Sequence, residues 1–328
     1  MDKVRWGLLS TASINSKLIP VIRSSERGEL VAIASRDQAR AKSYAEQWQI
    51  PFAFGSYQAM LDSGKIDAVY ISLPNHLHAE WTIKALHSGL HVLCEKPFAL
   101  SLGEVDQMIE ASHDSGKYLA EAFMYLHHVQ ARVAKKWIQD GRIGEIQAIW
   151  GVFTFQIENH SDIRLNPEFG GGSLWDVGVY PVSFSQYIYG SPPEKVFGIQ
   201  LLCDSGADTL FAGAMYYHNS SIAQFTTSFY SPFYTFAEII GTKGRMTLVR
   251  PFNMHNKECH LLYFDQTGDP QEIELPSQDL YLGEVEDMHN AILSDTPPAL
   301  SLAESRNHIR TILALYKSAR TGQPVSLD

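Results

Sequence analysis

The chain has 328 residues, 45% hydrophobic and 19% charged, a length that suits two domains better than one core. Its formal net charge of −10 argues against nucleic acid or an anionic membrane as the main partner. No apolar run reaches the roughly 18–20 residues needed to span a bilayer. Three scattered cysteines, Cys94, Cys203 and Cys259, form neither a disulfide framework nor a zinc pattern. Met1-Asp2-Lys3-Val4 leads straight into a strand without a signal peptide, so the cytoplasm is the expected compartment.

The first 120 or so residues alternate short apolar runs with helix-period segments. Val4–Leu9, Glu29–Ser35, Ala68–Ser72, His91–Cys94 and Tyr118–Ala122 read as buried strands, being continuous and rich in Val, Ile and Leu. Ala41, Tyr44, Ala45 and Trp48 lie on one helix face. Ser101 and Glu104 have the spacing of a capping box, and Gly116 closes the helix they open. Strands joined by helical crossovers predict a doubly wound parallel sheet, a Rossmann domain over residues 1–122.

The rhythm then changes. A helix is expected near Val129–Asp140, a long strand at Ile146–Ile157 and a helix near Val177–Tyr189. Several strands of alternating polarity follow between Glu194 and Glu274, then helices near Gly283–Leu293 and Ser301–Arg320. Residues 123–328 therefore read as an α+β domain with a large, mostly antiparallel open sheet. One of Phe153 and Phe155 is expected in its core and the other on the opposite side.

The first strand–turn–helix, Gly7-Leu8-Leu9-Ser10-Thr11-Ala12-Ser13-Ile14-Asn15, stands where a dinucleotide fingerprint belongs. Its three glycine slots hold Ser10, Ala12 and Asn15, so the bare pattern fails. The small residues and the N–H groups entering the helix still suit a pyrophosphate, whereas Asn15 is expected to loosen helix–strand packing. The second strand ends Ala34-Ser35-Arg36-Asp37. A hydroxyl and a guanidinium at this tip suit a 2′-phosphate, favouring NADP while leaving NAD possible. Asp37 reads as the next helix's N-cap.

Further on stand Ser72-Leu73-Pro74-Asn75-His76-Leu77-His78, Cys94-Glu95-Lys96-Pro97 and Gly170-Gly171-Gly172-Ser173-Leu174-Trp175-Asp176-Val177-Gly178-Val179-Tyr180. Glu-Lys-Pro alone is a weak signal; about eighty residues before the glycine run with its Asp and Tyr, it is a strong one. Together these segments resemble the Gfo/Idh/MocA oxidoreductase family over nearly the whole chain. The surroundings of Arg36 and Tyr125 look most like its dimeric dihydrodiol and NADP-linked D-xylose dehydrogenase branch.

The resemblance implies hydride transfer between a nicotinamide and a sugar, polyol or vicinal diol, with Lys96, Asp176 and Tyr180 as the catalytic group. It also implies a cis Lys96–Pro97 bond and a homodimer or higher homo-oligomer. The chemistry is coherent: alcohol oxidation needs a base, and a lysine beside a phenol lowers the phenol's pKa. Asp176 and Tyr180, four apart, share a helix face. Lys96 and Tyr180 are interchangeable as proton carrier at this level. Structural alternatives stand beside each: Lys96 as a surface cation, Asp176 as an N-cap, Tyr180 as a core aromatic. Ser10, Thr11, Ala12, Ser13, Ile14, Ser35, Arg36, Leu73, Asn75, His78, Glu95, Lys96 and Arg164 are the expected cofactor contacts. His76, His78 and Glu80 fit no standard zinc spacing, and no metal is expected. The rivals are an NAD-linked inositol or ketosugar reductase and a non-catalytic NAD(P)-sensing regulator.

Overall fold

The computed structural model describes residues 3–253 and 259–327; Met1, Asp2, residues 254–258 and Asp328 lie outside the described residues. The chain forms two compact units. One comprises residues 1–123 and 281–306, the other residues 124–280 and 307–328.

The first unit carries β1 (Val4–Leu9), α1 (Asn15–Ser24), β2 (Gly28–Ala34), α2 (Gln38–Trp48), β3 (Phe52–Phe54) and α3 (Tyr57–Leu61). It continues through β4 (Ala68–Ile71), α4 (His78–His87), β5 (His91–Glu95), α5 (Leu102–Ser115) and β6 (Leu119–Ala122). The strands are all parallel, in the order β3-β2-β1-β4-β5-β6. This is the doubly wound arrangement expected from the strand–helix alternation. The Ser101 hydroxyl accepts from the Glu104 N–H at 3.2 Å while Glu104 accepts from the Leu100 N–H at 3.0 Å, so a capping box opens α5. Gly116 closes it in the left-handed conformation. The short elements β3 and α3 have too few residues to show a period and were not expected.

The second unit holds α6 (Val129–Gln139), β7 (Ile146–Gln156), a π-helical turn (Leu174–Gly178), α7 (Val179–Tyr189), β8 (Lys195–Leu202), β9 (Asp208–Tyr216) and β10 (Ile222–Ser228). Then come β11 (Tyr230–Gly241), β12 (Arg245–Val249), β13 (His260–Phe264), β14 (Pro270–Ile273), α8 (Leu282–Ser294), α9 (Leu302–Thr321) and β15 (Val325–Ser326), of which α8 and the first turn of α9 belong to the first unit. The nine-stranded sheet runs β14-β13-β12-β11-β7-β10-β9-β8-β15 and is antiparallel except where β10 pairs parallel with β7. Register places Gly198, Gly213, Phe225 and Gly151 in one row across four strands. An added Cβ would come within 2.8 Å of the Leu315 carbonyl at Gly198 and within 2.7 Å of Pro181 at Gly151. Glycine there lets α9 and α7 lie close on this face.

The opposite face of the sheet is apolar and open. Ile199 and Leu201 on β8 pair with Ala212 and Leu210, and Trp150 and Tyr234 stand on β7 and β11. Ile199, Leu201 and Tyr234 are each more than half exposed, at 57%, 59% and 53%. Phe153 and Phe155 do not divide between faces. Being two residues apart they share one, with ring centroids 6.5 Å apart, as the period of a strand requires.

The residues of α8 return to the parallel sheet. Val285 and Met288 are fully buried in its core, and the Trp6 indole donates to His289 Nε2 at 2.9 Å. Burying each such apolar side chain stabilises by about 1.5–3 kcal/mol, enough to hold a late helix against an early sheet.

Candidate active site

The C-terminal tips of β1, β2, β4 and β5 carry the expected cofactor residues, the edge where an open parallel sheet binds ligands. Ser10 ends β1 with φ +140°, a left-handed value in the slot that the dinucleotide pattern gives to glycine. Its hydroxyl donates to the Ser72 carbonyl at 2.9 Å and accepts from the Ala12 N–H at 3.1 Å. Asn15, in the third slot, is fully buried; its amide donates to the Ser10 carbonyl at 2.7 Å and accepts from the Ser72 hydroxyl at 2.8 Å. The expectation that Asn15 loosens this packing is therefore corrected: it ties the turn to the β4 tip and satisfies the buried polar atoms there. Thr11, Ala12, Ser13 and Ile14 are half-buried or exposed as the chain enters α1, and their last three carbonyls accept the Asn15, Ser16 and Lys17 N–H groups.

At the β2 tip, Ser35 is buried and accepts from the Asp37 N–H at 3.3 Å. Asp37 caps α2 by accepting the Arg40 N–H at 2.7 Å, which turns the local carboxylate onto the helix. Burial raises the Tyr57 pKa, and the charges of Arg36 and Arg40 oppose the rise. Arg40 and Tyr57 were not singled out from sequence, although Arg40 stands one helical turn after Arg36.

Past the β4 tip, Leu73 is buried and Asn75, half-buried, opens a 3-10 turn. His78 is the first residue of α4, fully buried, with Nδ1 at 2.8 Å from the Pro97 carbonyl and Nε2 at 2.8 Å from the Leu73 carbonyl. Burial pushes its pKa down, and the hydrogen bonds to the two carbonyls oppose that shift. With no exposed surface it offers nothing to a ligand. The expected cofactor contact is thus corrected to a brace between two loops. Glu95 accepts a hydrogen bond from the fully buried Tyr70. Burial, reinforced by the Glu95 and Glu284 carboxylates, holds the Tyr70 phenol well above its usual range and keeps it a donor. Lys96 follows, half-buried, and its bond to Pro97 is cis.

In the second unit the glycine run folds back on its own lead-in: the Gly171 and Gly172 N–H groups donate to the Asn166 and Arg164 carbonyls, each at 2.9 Å. Asp208, buried, accepts from the Ser173 hydroxyl at 2.7 Å, the Leu174 N–H at 2.8 Å and the Tyr316 hydroxyl at 2.6 Å. Its pKa is raised by burial, against the pull of those donors. This carboxylate anchors the π-helical turn that carries Asp176. The helix expected from Val177 begins three residues earlier, so Asp176 lies within its first turn and is not its N-cap. A π turn is a feature concentrated at functional sites. Arg164 Nε stands 3.8 Å from Asp176 Oδ2, which joins two residues that sequence had listed apart as cofactor contact and catalytic group.

Tyr180 opens the α-helical part and is 6% exposed, its hydroxyl 3.8 Å from Met124 Sδ. Phe153, Phe252 and Tyr125 surround its ring at centroid distances of 5.4, 5.7 and 5.9 Å. Tyr125, fully buried, shares a 2.7 Å hydrogen bond with the Ser183 hydroxyl, which donates in turn to the Tyr180 carbonyl at 3.1 Å. An aromatic bed held in this way fixes the ring's orientation.

The donor set at the first unit's strand tips fits a phosphorylated dinucleotide. It has helix-entry N–H groups, a serine and two arginines, and its nearest carboxylate is engaged in capping. Residues 4–123 match the Gfo/Idh/MocA oxidoreductase family, NAD-binding Rossmann fold, and residues 131–247 match the GFO/IDH/MocA C-terminal domain. The chain belongs to the Gfo/Idh/MocA oxidoreductase family.

Among its relatives is a D-xylose 1-dehydrogenase (NADP+) of Haloferax volcanii, 37% identical over 98% of this chain and 99% of that protein. A trans-1,2-dihydrobenzene-1,2-diol dehydrogenase of Mus musculus is 29% identical over 74% of this chain and 73% of its own length. Among solved structures, a 3-ketoreductase from Actinomadura kijaniata in complex with NADP and TDP-benzene superposes with a TM-score of 0.91. That ketoreductase is 28% identical, covering 97% of this chain and 98% of its own.

Proposed function

We propose that this member of the Gfo/Idh/MocA family is an NADP-linked oxidoreductase that oxidises the hydroxyl, or reduces the carbonyl, of a sugar, with aldoses of the xylose type as the leading substrates. The observation that carries this is the retention of Lys96 at the β5 tip together with Asp176 and Tyr180 on one anchored helical segment. Solved forms of the A. kijaniata ketoreductase include variants replacing a lysine and a tyrosine, as many residues apart as Lys96 and Tyr180. The 37% identity to a D-xylose dehydrogenase over nearly the full chain supports the substrate class.

In this reading residues 1–122 hold the cofactor and residues 123–328 supply substrate contacts and the subunit interface. Thr11, Ser13 and Ile14 offer N–H groups to the pyrophosphate, Ala12 keeps the turn small, Ser10 shapes it by accepting the Ala12 N–H, and Ser35, Arg36 and Arg40 hold the 2′-phosphate. Leu73, Asn75 and Glu95 line the edge where the nicotinamide half would lie. When bound, the nicotinamide supplies the hydride acceptor. Tyr180, as the phenolate that the Lys96 ammonium stabilises, takes the hydroxyl proton as the carbon is oxidised and becomes the phenol, while Lys96 binds the developing carbonyl oxygen. Asp176 orients the substrate hydroxyls, steadied by Arg164.

Arg36 is the lever on cofactor choice. A charge-assisted hydrogen bond contributes about 1.5–3 kcal/mol, so Arg36→Asp is expected to lower kcat/KM with NADP+ by roughly ten- to a hundredfold. The loss with NAD+ should be smaller. Steady-state kinetics with both cofactors on aldoses, inositols, ketosugars and trans-diols tests the reading. Wild-type preference for NAD+, or cofactor binding without turnover on any member, would sink it, the second outcome favouring a sensor.

The open apolar face around Trp150, Ile199, Leu201 and Tyr234 gathers large exposed apolar side chains on one surface and supports a homo-oligomer. Light scattering should give a mass at least twice the 36.8 kDa chain; a monomer across the micromolar range would exclude it.

A further inference from the structure

Three buried side chains close a cycle of hydrogen bonds behind the β1–α1 turn. The Ser10 hydroxyl donates to the Ser72 carbonyl at 2.9 Å, and the Ser72 hydroxyl donates to the Asn15 amide oxygen at 2.8 Å. The Asn15 amide nitrogen donates to the Ser10 carbonyl at 2.7 Å, which completes the circuit. Ser10 follows β1, Asn15 is the first residue of α1, and Ser72 brings in the tip of β4. All three lie within the first unit.

The cycle holds a conformation that the turn would not keep unaided. Ser10 has φ +140°, where a residue bearing a Cβ stays only if its surroundings over-determine it. A glycine reaches such a value without steric cost, and this chain has none in the three slots of the fingerprint. The cycle also sorts the polar groups of the turn. Asn15 draws the Ser10 carbonyl inward, and the Ala12, Ser13 and Ile14 carbonyls accept from Asn15, Ser16 and Lys17 at 3.2, 3.1 and 2.9 Å. The Ser10 hydroxyl takes the Ala12 N–H. An anion at the turn therefore meets the N–H groups of Thr11, Ser13 and Ile14, with those carbonyls turned to other duty.

Given the NADP reading above, on which this rests, we propose that the Ser10–Ser72–Asn15 cycle presets the turn for the cofactor's pyrophosphate. Asn15 and Ser72 are then positioning residues, doing with side chains what a glycine-rich turn does with backbone freedom. Without the cycle the turn spends only part of its time in the competent form, and apparent affinity falls by that fraction.

The test is calorimetric binding of NADPH and of 2′-AMP to the full chain, with melting temperatures alongside. 2′-AMP carries the 2′-phosphate but no pyrophosphate, so it reports on the β2 tip alone. By the glycine fingerprint, Asn15→Gly should leave NADPH binding intact or improve it. The cycle predicts the reverse, a loss of roughly ten- to a hundredfold, because two buried hydrogen bonds go at once. Ser72→Ala deletes one donor, keeps the Ser72 carbonyl and should weaken NADPH about three- to tenfold, which keeps the proposal testable if Asn15→Gly does not fold. Affinity for 2′-AMP should stay near wild type in both. NADPH binding unchanged in the variants overturns the proposal. So does an equal loss of NADPH and 2′-AMP, the mark of a purely structural role. A wild-type chain that binds neither NADPH nor NADH would instead overturn the NADP reading itself, and the cycle's role with it.

Discussion

Lys96→Ala is expected to lower turnover by roughly 10²–10⁴-fold, the range of a positioned acid–base group, while NADP(H) affinity and melting temperature stay near wild type. The lysine is half-buried at a strand tip, between Glu95, which accepts from Tyr70, and Pro97, whose carbonyl meets His78. Removing the side chain takes a charge from the chemistry, and the melting temperature checks that the fold is spared. Tyr180→Phe keeps the aromatic bed against Phe153, Phe252 and Tyr125 and deletes only the hydroxyl, so it belongs to the same class. If the two residues serve one proton transfer, the double variant loses little more than the worse single one. Full pH–rate profiles separate their roles. For oxidation, loss of the acidic limb in Tyr180→Phe marks tyrosine as the proton carrier, and its survival there passes that role to Lys96. Turnover within a few-fold of wild type in both variants would contradict the assignment.

Gly172→Ala should be among the most damaging single methyl additions. Gly172 has φ +132°, and an added Cβ would sit 2.1 Å from Asp208 Oδ1 and 2.7 Å from the Tyr316 hydroxyl. Overpacking and a strained φ each cost about 1–3 kcal/mol, and here both apply. Asp208 must also move, and with it the donors that anchor the turn bearing Asp176. At about 2–4 °C per kcal/mol for a unit of this size, the summed cost of about 2–6 kcal/mol should lower the melting temperature by roughly 4–24 °C, with activity lost in parallel. Gly190→Ala is the control: φ is +76° but nothing stands within 4 Å of the added Cβ, so only the backbone cost remains. Equal shifts in the two variants, by differential scanning calorimetry, would show that the Asp208 anchor does not matter.

The legible parts of this molecule are those with a period or a punctuating residue. The strands of the parallel sheet announced themselves as apolar runs, and Ser101, Gly116 and Ser301 marked helix ends because capping chemistry is local. The glycine run marked the turn before Asp176, but its reason lay 36 residues on, in a carboxylate at Asp208 that no local pattern flags. Asn15 misled for a related cause. Its side chain is judged unsuitable against a glycine rule until the Ser72 hydroxyl, 57 residues away, is seen to donate to it. The stripe Val285, Met288 and Ile292 spells an amphipathic helix but not which core it joins; only the tertiary contacts with Trp6 place it in the first unit. The parallel pairing of β10 with β7 is likewise a matter of topology, since alternating polarity is the same in either direction. His78 looked like a ligand contact because it stands at a strand tip, and burial alone decided otherwise.

The most direct test of the central claim is isotopic. D-Xylose deuterated at C1 is incubated with NADP+ and the protein, and the reduced cofactor is analysed by mass spectrometry. The account predicts one deuterium in each NADPH formed, carried at nicotinamide C4, with the sugar recovered as the lactone or aldonate. Reduced cofactor without the label would move the oxidation to another carbon of the sugar, and none formed with any aldose supplied would contradict the account.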